Sequence, residues 1–262
     1  MRISTFTKTA LWAAAGFVLV FIYAPLFVVV ANSFSTSATL TWPPPGFTTE
    51  WWVLALTNEA ALSAITTSVI VALASTVIAL ILGTALSFAL QRFEFFGKST
   101  VNLLVVLPIA LPGIVTGIAL NNAFKTIMGI NLGWATIIIA HATFCVVTVF
   151  NNVFARLRRV GTALEEASSD LGAGVWTTFR LVTFPQIRSA LFAGGLLSFA
   201  LSFDEIIVTT FTAGSGIQTL PIFILNNMFR PNQAPIVAVV AVVMILIAIV
   251  PIYIAQRLTN KD

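Results

Sequence analysis

Apolar residues run along this chain in six long stretches parted by shorter polar segments: Leu11–Asn32, Ala64–Leu90, Val101–Leu120, Trp134–Phe154, Ala190–Phe211 and Ile236–Gln256. Crossing a hydrocarbon core of about 30 Å takes about 20 residues at ~1.5 Å rise each, so every stretch is long enough to span. A lone strand in lipid would leave its backbone groups unpaired, which leaves helix as the conformation for each. The pattern predicts an all-α fold, a polytopic membrane bundle of about six transmembrane helices.

Composition points the same way. Only 8% of the 262 residues are charged, against roughly a quarter in a soluble domain, too few to cover a water-facing surface. No Ser- or Gly-rich linker and no convincing internal repeat divides the sequence, so residues 1–262 read as one transmembrane domain. The first stretch follows Arg2 and Lys8, as a secretory signal would. A signal's apolar region is about 7–15 residues, and Leu11 to Ala31 is longer, so an uncleaved first helix is expected.

The charges sort by loop. Eleven of the thirteen basic residues fall at the N-terminus, in the second and fourth loops and in the C-terminal tail; Lys125 and Arg230 lie on the other side. Basic residues concentrate on the cytoplasmic side of a membrane protein, which puts both termini of this multi-pass chain in the cytoplasm. The same sorting argues against nucleic acid as a partner, because the net charge of +4 forms no single basic face. Membrane lipid is the partner that the composition demands.

On the outer side, Trp42-Pro43-Pro44-Pro45-Gly46 forbids regular helix. Glu50-Trp51-Trp52 then suits a short interfacial helix whose tryptophans sit at headgroup level. Three chemical signals are weak. Gly97-Lys98-Ser99-Thr100 ends like a phosphate-binding loop, but Arg92 stands where that motif has its first glycine and no buried strand precedes it. His141, the one histidine, sits mid-span with no obvious metal partner, and Cys145, the one cysteine, lies in an apolar stretch. With no HExxH, CxxC or GxSxG pattern, neither a catalytic set nor a metal site is expected.

The loop Ala155–Ser189 carries the strongest pattern. Thr162-Ala163-Leu164-Glu165 fits a capping box, in which Thr162 caps a helix and Glu165 reaches back. Leu164, Ala167 and Leu171 share one face, and Gly172 or Gly174 can end the helix in a left-handed turn. A second short helix with Val175, Trp176, Phe179 and Val182 on its apolar side follows, until Pro185 stops it. Two exposed amphipathic helices need a cover, either the underside of the bundle or a groove on a cytoplasmic partner.

The run Glu166-Ala167-Ser168-Ser169-Asp170-Leu171-Gly172-Ala173, continuing through Trp176, Phe179, Val182, Phe184 and Pro185, resembles the EAA loop of ABC importer permeases. Ser168 replaces the second alanine of that pattern and Phe184 its leucine. Further matches are Gly46-Phe47 with Glu50-Trp51-Trp52, Pro108 with Leu111-Pro112-Gly113, and Ser202-Phe203-Asp204-Glu205 with Phe211-Thr212-Ala213-Gly214 and Leu220-Pro221. They cover nearly the whole chain and are similar to spermidine/putrescine importer permeases, the second of the pair more than the first.

The resemblance implies a type I importer permease fold, a permease core over about residues 64–258 and a cytoplasmic coupling loop over 155–189. It implies Glu165, Glu166, Ala167, Asp170 and Gly172 as ATPase-coupling positions. The implied partners are an ABC ATPase dimer that binds ATP and Mg²⁺, a second permease, and a soluble solute-binding protein. The chain itself would hold no cofactor and do no covalent chemistry. Related permeases carry iron, thiamine and other solutes, and a stand-alone channel or secondary transporter is the rival class, one that offers no reason for the patterned loop.

For the substrate pathway the candidates are Asp204 and Glu205, the only acidic residues within a predicted span. A charge at the bilayer centre costs about 2.5–3.5 kcal/mol on insertion scales and rarely faces lipid. On a continuous helix the two would point about 100° apart. Their carboxylates suit a cationic polyamine, with Phe203 adding a cation–π face. The alternative is a carboxylate paired to a hydroxyl or amide on another helix.

Overall fold

The computed structural model describes residues 4–39, 41–230 and 232–259, which form helices and their connections apart from one isolated antiparallel pair, Ser35 with Phe47. Five helices are long and apolar enough to cross a membrane, and six if one bent pair counts as a single span. The helices gather into two compact units, residues 1–62 with 224–245 and residues 63–223 with 246–262.

In the first unit, α1 (Thr5–Asn32) opens on Ser4, whose hydroxyl accepts from the Thr7 amide at 3.1 Å. Within α1 only Asn32 is buried, so lipid or a partner subunit must cover the rest. The expected short outer helix is α2 (Glu50–Thr57). Its tryptophans turn partly inward: Trp51 Nε1 donates to the Ser35 carbonyl at 2.7 Å, and Trp52 stacks on Phe34 at 5.3 Å between centroids. They pin the outer loop, whose backbone pairing is confined to the bonds around the Ser35–Phe47 pair.

In the second unit, α3 (Glu59–Arg92), α6 (Trp134–Val160) and α9 (Phe184–Phe203) form the centre. Ala79, Cys145, Val149, Val153, Leu157 and Ile187 make its core. Close approach explains two glycines. A Cβ at Gly83 would lie 2.8 Å from the Val146 carbonyl oxygen, and one at Gly194 3.2 Å from Val149 Cα. Small residues of this kind let helix backbones meet in a membrane, where burying apolar side chains gains little over lipid. Cys145 Sγ donates to the Ser198 carbonyl at 3.4 Å, and Ser198 Oγ donates to the Cys145 carbonyl at 3.1 Å, a reciprocal tie between α6 and α9.

Three expected elements are corrected. The third stretch is two helices, α4 (Lys98–Ala110) and α5 (Gly113–Asn122), bent by 108° where Pro112 follows an extended Leu111. A residue before proline is pushed away from helix and proline has no N–H to donate, so the chain turns there. The fifth stretch also breaks. Helix α9 ends at Phe203, and α10 (Ile207–Thr212) begins four residues later, so Asp204 and Glu205 lie in the break instead of on a continuous helix. Gly113 and Gly117 of α5 receive the side chains of Ile207 and Phe211 from α10, a packing role for that glycine pair.

The third correction concerns Pro185, which does not end a helix. The short α8 (Val175–Thr178) passes through a wide turn at Phe179–Thr183 directly into α9, with Pro185 in the first turn of α9. The Phe184 amide bonds to the Phe179 carbonyl, five residues back, and this widened turn accommodates a residue that lacks an N–H. The segment outside the long helices therefore shrinks to residues 161–174. Two further helices complete the chain, α11 (Leu220–Asn227) and α12 (Ala234–Thr259).

Candidate functional site

The patterned loop forms α7 (Ala163–Asp170), a helix of eight residues outside the long helices. The capping box does not form: Thr162 makes no side-chain cap, and only its carbonyl accepts, from the Glu166 amide at 2.9 Å. Glu165 is drawn elsewhere. Its Oε1 accepts from Arg92 Nη2 at 2.8 Å and from Thr183 Oγ1 at 2.8 Å. A bond from a guanidinium to a carboxylate is stronger than the neutral amide contact that a capping box offers, and it wins.

At the other end, Gly172 is the left-handed terminator, with φ +81°. The Ala173 amide donates to the Ser168 carbonyl at 3.1 Å and the Gly172 amide to the Ser169 carbonyl at 2.9 Å. This pair of bonds is a Schellman closure, which satisfies carbonyls that the helix end leaves unpaired. A Cβ at Gly172 would meet nothing within 4 Å, so backbone conformation, not crowding within the chain, demands glycine.

The rest of this chain leaves the apolar side of the loop uncovered. Leu171 is 89% exposed, Val175 90% and Trp176 72%, while Glu166, Ala167 and Asp170 are also exposed. Ser168 Oγ and Thr178 Oγ1 lie 2.9 Å apart and hold α7 to α8. Trp176 stacks on Phe179 at 5.7 Å, and Phe179 meets Phe88 of α3 edge-on at 6.1 Å. The result is a braced, protruding turn with an apolar crest and an acidic flank.

At the break after α9, the two acidic residues part company. Glu205 Oε1 accepts from the Val208 amide at 2.7 Å and so caps α10. Asp204 closes the end of α9 and is exposed. Phe203 is buried at 1% exposure and stacks on Phe199 at 5.6 Å, so its ring is not open to a ligand beside Asp204. His141 is fully buried, with Nδ1 2.7 Å from Ser202 Oγ and Nε2 2.8 Å from Thr209 Oγ1. Both ring nitrogens are used in holding the two sides of the break, and no metal-binding cluster is found among the described residues.

Arg92 and Thr183 carry no motif signal and were not legible as site residues. Arg92 reads as one of several cytoplasmic arginines, and only the fold brings it to Glu165. In the phosphate-loop-like run only Gly97 lies in a turn, with φ +84°; Lys98, Ser99 and Thr100 open α4, and Lys98 pairs with Glu94 at 2.7 Å.

Residues 76–261 match the family model of the binding-protein-dependent transport system inner membrane component. The chain is 32% identical to the spermidine/putrescine transport system permease protein PotC of Escherichia coli, over 92% of this chain and 90% of that one. It is 34% identical to the putrescine transport system permease protein PotI of Escherichia coli, over 79% of this chain and 76% of that one. A putative 2-aminoethylphosphonate transport system permease protein, PhnV of Salmonella typhimurium, is 29% identical over 95% of this chain and 97% of its own. Among solved structures, a chain of a bacterial ABC transporter that imports the acidic polysaccharide alginate aligns with TM-score 0.70 at 15% identity, covering 100% of this chain and 99% of that one. A chain of the inward-facing MetNI methionine ABC transporter aligns with TM-score 0.59 at 16% identity, covering 78% and 98%.

Proposed function

The chain belongs to the family of binding-protein-dependent transport system inner membrane components, the permease subunits of ABC importers, and from that membership we propose that it forms part of the import pathway for a polyamine such as spermidine or putrescine. It is a transport subunit, not an enzyme. In this reading an ATPase dimer in the cytoplasm binds ATP with Mg²⁺ and hydrolyses it. A second permease completes the pathway, and a soluble receptor delivers the solute. Both termini face the cytoplasm, a reading supported by the sorting of eleven of the thirteen basic residues. Helix α7 and its Gly172 turn seat on the ATPase, with Glu166, Ala167 and Asp170 at the contact. The exposure of Leu171, Val175 and Trp176 supports that seat.

Asp204 is the observation that carries the polyamine. It is an exposed carboxylate at a break in an apolar segment, and ionisable groups at membrane depth belong to cavities and pathways. Glu205 is engaged in capping α10, so Asp204 supplies the counter-charge that an ammonium group needs. An anionic solute would meet repulsion there. The names of the two relatives at 32% and 34% identity add separate support.

Uptake of labelled spermidine and putrescine into proteoliposomes that hold the complete importer and its receptor tests this. Asp204→Asn keeps shape and hydrogen bonding but removes the charge, which costs about 1–3 kcal/mol, or roughly 5- to 150-fold in transport efficiency. Unchanged uptake by Asp204→Asn sinks the pathway role. A wild type that takes up 2-aminoethylphosphonate and neither polyamine moves the solute assignment.

A further inference from the structure

Glu165 Oε1 is a meeting point of elements far apart in sequence. It accepts from Arg92 Nη2, 73 residues away at the end of α3, and from Thr183 Oγ1 in the wide turn that leads into α9, each at 2.8 Å. The same Arg92 nitrogen donates to the carbonyl of Gly161, which closes α6, at 3.1 Å. One charged pair thus ties α7 to the inner ends of α3, α6 and α9. The Arg92 and Glu165 side chains are only 14% and 24% exposed, unlike the Lys98–Glu94 pair, whose glutamate is 89% exposed. Solvent screens the first pair far less.

The chain connections of α7 are glycine turns. It is entered through Gly161 at φ +71° and left through Gly172 at φ +81°, two residues without side chains to brace them. Side chains add direct ties from α7 to the long helices beside these backbone connections. Ser168 leads to Thr178, on the short helix that runs on into α9, so α9 is reached by this bond as well as by Glu165–Thr183. Glu165 is the member of α7 that reaches α3, and α3 is itself bound to α6 higher up, where Ser87 Oγ donates to the Gly83 carbonyl at 2.7 Å and the Phe150 carbonyl at 3.2 Å.

We propose that the Arg92–Glu165 pair is the mechanical link through which displacement of α7 moves the inner ends of α3 and α9, with Thr183 as its third member. Glu165 is then a positioning residue directed into the bundle, while Glu166 and Asp170 on the same helix are directed outward. This rests on the reading that α7 seats on an ATPase. That seat can hold while the link is cut, and the two ideas fail in different measurements.

The test uses the complete importer reconstituted with its receptor. Spin labels at Ser169→Cys in α7 and Phe93→Cys just beyond α3 report whether the two elements move together; both native residues are exposed, and Cys145 is fully buried. In the otherwise wild-type complex the label separation keeps one narrow distribution with and without a trapped nucleotide. In Arg92→Gln and Glu165→Gln the distribution broadens or splits on nucleotide trapping, and polyamine carried per ATP hydrolysed falls about 5- to 50-fold. The double variant is no worse than either single one, because both cut the same link. Glu165→Asp, which keeps the charge but withdraws it by one methylene, gives an intermediate loss and guards against misfolding of the other variants. Identical label distributions in wild type and all three single variants overturn the proposal, as do additive losses in the double variant. Loss of the ATPase from the Glu165→Gln complex also overturns it, since Glu165 would then act at the docking surface. Absence of the ATPase from the wild-type complex instead refutes the docking reading itself.

Discussion

Nε2 of His141 lies 2.8 Å from Oγ1 of Thr209, so the ring reaches across the break in the fifth apolar segment. Its other nitrogen holds Ser202 Oγ on the near side, at 2.7 Å. One buried side chain of α6 therefore fixes the end of α9 and the start of α10, and with them the position of Asp204. The Thr209 hydroxyl donates to the Glu205 carbonyl at 2.9 Å, so it accepts from Nε2–H of a neutral ring, and Nδ1 accepts from the Ser202 hydroxyl.

His141→Leu removes both bonds while filling most of the space. Hydrogen bonds between membrane helices are worth about 0.6 kcal/mol each on average and up to about 1.7, so the loss of two costs roughly 1–3 kcal/mol. Thermal unfolding in detergent should show a fall of several degrees. Amide exchange in α10 should accelerate while exchange in α1 does not. An unchanged melting temperature would mean that the break is held by something else.

Gly83 and Gly16 should respond to alanine with opposite signs. A Cβ at Gly83 meets the Val146 carbonyl oxygen at 2.8 Å and Val149 Cβ at 2.9 Å, while one at Gly16 meets nothing within 4 Å. Gly83→Ala forces α3 and α6 apart and costs about 1–3 kcal/mol. Gly16→Ala gains up to about 1 kcal/mol of helix propensity. Melting temperatures of the two variants in one detergent decide the matter.

Gly172→Ala tests backbone strain free of crowding. A side chain at φ +81° costs about 1–2 kcal/mol, and the space around the position is open. The amide of Ala173, which donates to the Ser168 carbonyl, should lose protection by about 5- to 30-fold in hydrogen exchange. Gly172→Asn, which enters the left-handed region more readily, should lose less. Equal exchange in all three proteins would contradict a strained left-handed closure.

Orientation is open to single-cysteine labelling. Thr39, Asn131 and Ser169 are exposed, and the native Cys145 is fully buried, so it should stay silent. A membrane-impermeant thiol reagent added to intact cells should modify cysteines at Thr39 and Asn131. It should reach Ser169→Cys only after the membrane is opened. Modification of the Ser169 site in intact cells would reverse the topology and remove α7 from any cytoplasmic partner.

Sequence alone determined the six apolar stretches, their all-α conformation, the short outer helix at Glu50 and a glycine turn at Gly172 or Gly174; that the turn lies at Gly172 and protrudes came from the structure. These follow from hydrophobic length, proline and glycine, which act on a segment wherever it lies. It also exposed the likeness of the loop to the EAA pattern, because that likeness resides in spaced residue types. Tertiary structure alone decided how the breaks in the third and fifth stretches are used, with Ile207 and Phe211 seated on Gly113 and Gly117 and His141 spanning the gap beside Asp204. It also took Glu165 from a capping box to Arg92, and gave Asp204 and Glu205 different surroundings despite their adjacency. The physical reason is one of range. Apolar length, turn chemistry and capping tendencies are local, but a partly buried carboxylate goes to the strongest donor within reach, and that donor here stands 73 residues away along the chain.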